Sequence, residues 1–399
     1  MLFNKKLFAV LLCGVLLAGS AEGAVSKGKK KGADAAATAA AGEKKGKKAD
    51  KGDKADKAAG KAGKAKKGGA VSTAEELNAV LQEAVDGLQP TVKLKLGGAL
   101  KEADLAPVLE ACPAAGALAS YSVNTNKSRG TAELALTYHD GTRMGAALRQ
   151  EALAKKLTAE EQRALATLQE RMAAALAAAD AAAPEGQTAG DYEKVVAFHN
   201  DIVNHARYVV NAETKQGSVA AFINNGVGHC TAYTRLMKMM LDSQNIPNII
   251  IVGESKGPHM WNLVFVEGAW RHVDVTWDDP VMQDGSGDKL MFNYLGLSDA
   301  DLARDHKWDK TNLPAVTTEP PLYLTRNGLY CKTFAEFWKA AEAAAARGEH
   351  RAEIYLENFG SAQKVQQEYG AYMQAGGTLR LRSTRCPQGE TSGAVILEF

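Results

Sequence analysis

Hydrophobic and polar positions fall into two periods along this chain, one near 3.6 residues and one of 2, and their order predicts an α+β protein. Leu77, Val80, Leu81 and Ala84 recur at helical spacing behind Ser72-Thr73-Ala74-Glu75. That opening is a capping-box pattern, in which hydroxyl and carboxylate satisfy free amides at a helix start. Val92, Leu94 and Leu96 then alternate as a strand does; a helix is expected over Ala103 to Glu110, and strands over Ala117 to Val123 and Thr131 to Tyr138. The C-terminal end repeats this order. Thr333-Phe334-Ala335-Glu336 opens a helix through Trp338 and Ala341, and Ala352, Ile354 and Leu356 alternate. A helix follows over Gln363 to Met373, with strands expected at Thr378 to Ser383 and Ala394 to Phe399. The pattern predicts two copies of one small α/β module, at residues 71–140 and 318–399, flanking the centre. Neither copy clusters catalytic residue types, so packing or binding is their expected work. Between them, Thr158-Ala159-Glu160-Glu161 caps an alanine-rich helix with Leu165, Leu168, Met172 and Leu176 on one face, a connector over 141–187. A second helix is expected from Tyr192 to Tyr208.

Composition changes this picture mainly at the N-terminus. Lys5 and Lys6 precede an apolar run from Leu7 to Leu17, and Ala18, Ser20, Ala21 and Gly23 suit signal-peptidase cleavage, so residues 1–23 read as an export signal. The run is too short for a permanent span. Leu12 stands before Cys13 where a lipid-modified cysteine needs a small residue. Residues 24–70 are almost entirely Lys, Ala, Gly and Asp, too poor in apolar side chains to offset the entropy of ordering, and are expected to form a disordered tether. The formal charge of +2 therefore misleads: the tether holds 15 Lys against five acidic residues, which leaves the rest of the chain acidic on balance. A charge argument for nucleic-acid binding by the folded part fails. The mature protein is expected to be exported, periplasmic or extracellular. Cys112, Cys230, Cys331 and Cys386 remain after cleavage; with Cys230 kept as a thiol, Cys331 and Cys386 are the candidate disulfide pair, against buried packing for each.

The chemistry concentrates between Asn224 and Pro280. Gly226-Val227-Gly228-His229-Cys230 runs into the helix-forming Thr231 to Leu241, which places Cys230 in the first turn of a buried helix. Free amides and the positive helix end favour a thiolate there and can hold a developing oxyanion. Downstream, Glu267-Gly268 joins two alternating runs as a hairpin. With Val266 opposite Ala269, Trp261 falls opposite Asp274 and His259 opposite Thr276, so His259, Trp261 and Asp274 share one ribbon face and His259 reaches Asp274 diagonally. His272 lies on that face as well, read as packing, and Asn224 is a loop candidate for an oxyanion donor. Trp261, Trp270 and Trp277 read most simply as core or pocket wall, with Trp261 the candidate substrate contact. Asp284-Gly285-Ser286-Gly287-Asp288 reads as a surface turn, since Lys289 and Leu295 stand where a calcium loop needs glycine and a bidentate acid. No spacing suits structural zinc and no phosphate-binding glycine loop occurs.

Gly228-His229-Cys230, Pro258-His259-Met260-Trp261-Asn262 and His272-Val273-Asp274-Val275-Thr276-Trp277-Asp278-Asp279-Pro280 together resemble the signature blocks of bacterial transglutaminase-like domains. The resemblance covers roughly residues 190 to 312, including Phe292-Asn293-Tyr294-Leu295 and His306. It implies a papain-like catalytic domain over 188–317, a nucleophile helix packed on an antiparallel sheet. By resemblance Cys230 is the nucleophile, His259 the general base and acid, and Asp274 the group that orients the imidazole. Ala232 departs from the glycine that relatives often carry there. The implied activity is cysteine-dependent acyl transfer on amide bonds, peptidase or amidase rather than cross-linking, with no cofactor. The expected partners are a protein or peptide amide substrate or an envelope polymer, and the basic tether is read either as a contact for anionic surfaces or as a solubilising spacer. No specific nucleic acid and no transmembrane segment in the mature form are expected. The alternative is a catalytically silent envelope scaffold.

Overall fold

A computed structural model describes residues 70–98, 100–101, 105–209, 217–279, 290–316, 320–357, 360–386 and 393–399. The export signal, the tether up to residue 69 and the Asp284–Asp288 turn lie outside the described residues. The chain is α+β, richer in helix than in strand, with mostly antiparallel sheets.

The central sheet has five strands in the order Lys307–Trp308, Asn248–Glu254, Pro258–Val266, Ala269–Val273, Leu295–Leu297, each pair antiparallel. The helix Cys230–Ser243 packs on one face of it, burying Ala232, Tyr233, Leu236, Met237, Met240 and Leu241. One glycine makes the edge pairing possible. A Cβ on Gly253 would stand 2.2 Å from the Lys307 carbonyl oxygen and 2.8 Å from the Trp261 ring, so any side chain there would force the edge strand away.

The connector helix Ala159–Ala182 starts in a Thr158–Glu161 capping box, as its sequence demands, and packs on the helix Asp191–His205. The latter stops at His205, three residues before the expected Tyr208. Arg207–Tyr208 instead form a short parallel pair with Val227–Gly228, the two residues that lead into the nucleophile helix.

The flanking regions share their topology and register. In the first, the helix Ala74–Asp86, the strand Thr91–Lys95, the helix Leu105–Glu110 and the strands Leu118–Asn126 and Thr131–Tyr138 follow in order, and the last strand lies central. In the second, Phe334–Ala346, Arg351–Leu356, Ala362–Gln374, Ser383–Arg385 and Ala394–Glu398 do the same, with the edge Tyr330–Cys331 added in parallel. Val92 and Leu94 stand opposite Leu134 and Ala132; Ala352 and Ile354 stand opposite Leu397 and Val395. All eight are buried against the helices of their own region. The outer sheet faces differ. Lys93 and Lys95 are exposed, whereas Glu353 and Tyr355 are buried against the central region, where Glu353 accepts the Phe292 amide at 3.2 Å and the Tyr355 hydroxyl accepts from Arg304 at 2.6 Å.

Three local expectations are corrected. The first capping residue is Thr73, not Ser72, with Glu76 reaching back to the Ser72 amide, because the helix starts one residue later. The stretch from Thr378 to Leu381 is not a strand; Tyr369 and Tyr372 hydroxyls take its amides, and pairing begins at Ser383. No disulfide joins Cys331 to Cys386: Cys331 is a thiol in an apolar core with Phe337 and Ile354, and burial pushes it up to about 11. Cys112 is likewise buried, its Sγ 3.2 Å from the Val108 carbonyl oxygen.

Candidate active site

Cys230 is the first residue of its helix, and His229 caps it in extended conformation (φ −122°, ψ 178°), its Nδ1 accepting from the Thr231 amide at 3.4 Å. The turn into this helix is tight because residue 228 lacks a side chain: a Cβ there would lie 2.7 Å from the Phe222 ring and 3.2 Å from the Ala232 Cβ. Gly228 thus leaves room for the Ala232 methyl, which is fully buried. The thiol is half-buried, with His229 and His259 as the imidazoles that act on it. Burial pushes it up, but those two imidazoles outweigh burial and bring it down to about 6.

The hairpin keeps the expected register from Val266–Ala269 to Asn262–Val273. It then ends. Residues from Asp274 onward leave the ladder in a turn, and the Asp274 amide donates to the Tyr294 carbonyl instead, so Thr276 is not paired with His259. The departure swings the Asp274 carboxylate directly under the imidazole: His259 Nε2 lies 2.6 Å from Asp274 Oδ2. Both are buried, Asp274 completely. Burying a carboxylate costs several kcal/mol, which only close hydrogen bonds can offset. Four are present. Oδ1 accepts the amides of Thr276 (3.0 Å) and Trp277 (3.2 Å), and Oδ2 accepts from His259 and from His306 Nε2 at 3.0 Å. Burial pushes Asp274 up, yet the two imidazoles hold it far below the usual carboxylate range. Burial pulls His259 down, but Asp274 and the thiol reverse this and raise it to about 10. With Nε2 engaged by Asp274, Nδ1 is the ring atom left for sulfur.

His259 and Asp274 are therefore brought together, and His259 and His229 are the imidazoles that act on the Cys230 thiol. Trp261 takes the core place weighed for it and not the substrate contact. It is 1% exposed, its Nε1 donates to His272 Nδ1 at 3.1 Å, and its ring backs that of His259 at 5.8 Å. It supports the imidazole from inside the core and cannot meet a substrate; the face count was sound, but Trp308 covers that face. His272 is buried between Trp261 and Asp299. Asn224 points to the Glu160 carbonyl at 3.2 Å and is no oxyanion donor. The half-buried Trp277, with Lys256 4.6 Å over its ring, forms the rim beside Asp274.

The second imidazole on Asp274 was not legible as such, because it comes from 32 residues downstream. His259, Asp274 and His306 are the described residues whose ligating atoms converge, within 4.8 Å. Their separations of 2.6 and 3.0 Å about one oxygen are those of hydrogen bonds, and a metal between them would displace the protons that the arrangement holds.

A cysteine at a helix start, with a histidine oriented by a buried carboxylate, is the arrangement of a papain-like Cys-His-Asp site. Residues 179–275, which carry all three side chains, form a transglutaminase-like superfamily domain. The chain is 26% identical over 176 residues to the Kyphoscoliosis peptidase of Mus musculus, a match that covers 39% of this chain and spans only 26% of that protein's length. It is also similar to the crystal structure of a TGase, at 15% identity and a TM-score of 0.23, over 47% of this chain and 50% of that one. Among the described residues, no helix is long and apolar enough to cross a membrane.

Proposed function

We propose that this protein is an exported cysteine-dependent acyl-transfer enzyme that acts on amide bonds, as a peptidase or amidase. The observation that carries the reading is the 2.6 Å contact of His259 with a fully buried Asp274, beside a helix-start thiol on which His259 acts. The Cys230 sulfur attacks the amide carbonyl carbon, and the Cys230 amide, which has no acceptor within its helix, stabilises the developing oxyanion. His259 gives its Nδ1 proton to the leaving nitrogen as the C–N bond breaks, which leaves a thioester on Cys230. Water then attacks the thioester while His259 takes its proton, and the carboxylic acid departs as the thiolate re-forms. Asp274 keeps its charge throughout and holds the ring in the productive tautomer.

Hydrolysis is proposed over amine transfer because Cys230 is itself partly exposed, which leaves the thioester open to water. The export signal and the Lys-rich tether support a place in the cell envelope, with the tether against anionic surfaces. The test is denaturing mass spectrometry of the full-length mature protein after brief mixing with a peptide library. A thioester adduct on Cys230 that disappears in Cys230→Ser and decays to free acid supports the reading. Peptide binding without adduct or cleavage would overturn it in favour of a silent scaffold, and decay only when a lysine analogue is added would overturn the hydrolytic choice.

A further inference from the structure

Asp274 is shared, and the sharing has a consequence for the whole site. His306 sits where the short edge strand Lys307–Trp308 begins its pairing with Glu254 and Gly253, and its amide returns to the Leu302 carbonyl at 3.0 Å. Ser255 fixes the same segment by donating to the Asp305 carbonyl at 2.9 Å. Its ring is enclosed by Trp261 (5.1 Å), Trp277 (5.2 Å), Tyr294 (5.6 Å) and His259 (5.4 Å). The Nε2 lies 3.0 Å from Asp274 Oδ2 and the Nδ1 2.5 Å from Asp305 Oδ1. An ionised carboxylate only accepts hydrogen bonds, so a ring with a carboxylate at each nitrogen must carry two protons. Asp305 is itself held by the Tyr294 hydroxyl at 2.5 Å on its other oxygen. The charged or titratable groups facing His306 are therefore Asp274, Asp305, His259 and Tyr294, with His272 beyond Trp261.

We propose that His306 is a second imidazolium on the catalytic carboxylate: a positioning residue that anchors Asp274 and, by drawing on its charge, limits how tightly Asp274 holds the proton on His259. The inference rests on the reading of Cys230, His259 and Asp274 as a working triad. Its chemical sense lies in the proton transfer. A lone buried carboxylate would hold the His259 proton too firmly for rapid donation to a leaving nitrogen, since an anion at hydrogen-bond distance strongly favours the protonated ring. A second cation on the same oxygen weakens that hold without giving up the orientation. The chain Tyr294–Asp305–His306–Asp274–His259–Cys230 is thus one connected assembly, not a triad beside an unrelated histidine.

The experiment combines two measurements on the full chain. In the unmodified protein, ¹⁵N spectra of the histidine rings at pH 7 should show both nitrogens of His306 protonated; a neutral ring overturns the proposal. In parallel, the rate of Cys230 carboxymethylation by iodoacetate is followed against pH, because attraction of the reagent's carboxylate to the His259 imidazolium gives the profile a basic limb. His306→Gln removes the cation, and Asp305→Asn leaves His306 donating to Asp274 but uncharged, so each should move the basic limb upward by about one pH unit. Asp305 is partly exposed, and its substitution keeps the test available even where His306→Gln lowers the folded yield. A basic limb unmoved in folded Asp305→Asn overturns the proposal, whatever the change in overall rate. A profile in the unmodified protein that rises only with ordinary thiol ionisation would instead sink the underlying triad reading, which is a different result.

Discussion

Two aspartates four residues apart, Asp274 and Asp278, occupy one turn, are both fully buried and both meet a histidine, yet they do opposite things. Tyr294 joins them through its backbone: its carbonyl accepts the Asp274 amide and its own amide donates to the Asp278 carboxylate at 3.0 Å. Asp274 answers to two imidazoles, one of which acts on the Cys230 thiol. Asp278 meets one, His199 at 3.0 Å, whose other nitrogen is taken by Asn200 and whose ring lies against Phe292. Burial pushes Asp278 up, the bond to His199 offsets this only in part, and the charge of Asp274 adds to the rise, so it rests at about 6. An Asp–His contact in a core is thus a fastener by default. It becomes catalytic equipment when its carboxylate is charged strongly enough to orient an imidazole that also reaches a nucleophile.

The comparison is broken most severely at the nucleophile. Cys230→Ser and His259→Ala should each lower kcat/KM on the order of 10⁴-fold or more while leaving the melting temperature nearly unchanged. Asp274→Asn should follow, at about 10²–10⁴-fold in kcat, because the neutral amide no longer enforces the tautomer. Asp278→Asn sharpens the contrast. It should change kcat/KM less than about tenfold, and above pH 6, where the buried carboxylate is ionised against its preference, it should not lower stability. An Asp278→Asn protein that lost activity as Asp274→Asn does, at full stability, would dissolve the distinction.

The pH dependence divides the same way. The thiolate at about 6 and the imidazolium at about 10 set a plateau of kcat/KM between those values: below it the sulfur is protonated, above it the leaving group finds no acid. The smallest expected effect is at Glu353, the buried acid at the junction with the C-terminal region. Burial and the neighbouring Asp278 raise it from 4.5 to about 8. The folded state therefore binds its proton more tightly than the unfolded chain. Its contribution is most favourable below about 4.5, is lost as pH rises to about 8, and stays unfavourable above. Glu353→Gln should stabilise the protein by about 1–2 kcal/mol at pH 9 and by almost nothing at pH 4, measured by denaturant unfolding.

Local chemistry was readable in the chain wherever the partners are close in sequence. The capping boxes at Thr158 and Thr333, the helix start at Cys230 and the hairpin register from Val266 to Asn262 all follow from short-range rules. So does the pairing of His259 with Asp274, although the ladder ends one residue before the aspartate and a turn completes the approach. What periodicity could not reveal is which strand faces are covered from afar. Trp261 shares a face with His259, but Trp308 from the edge strand closes that face, so it is core and not rim. Ala352, Ile354 and Leu356 read as a half-buried strand, yet the alternate positions Glu353 and Tyr355 are buried as well, by contacts to Phe292 and Arg304 that no alternation encodes. His306 and His199 reach Asp274 and Asp278 across 32 and 79 residues, separations at which only the folded topology decides who meets whom.

The central claim, an activated thiolate at Cys230 sustained by His259, is tested most directly by alkylation kinetics. Mass spectrometry would follow each cysteine of the mature protein at pH 7 in unmodified protein and in His259→Ala. Rapid labelling confined to Cys230 and slowed at least tenfold by the substitution is the expected result, since Cys112 and Cys331 are buried thiols raised to about 11. Slow labelling of a reduced, accessible Cys230 at the same rate in both proteins would contradict the account and leave a transglutaminase-like domain that binds without turnover.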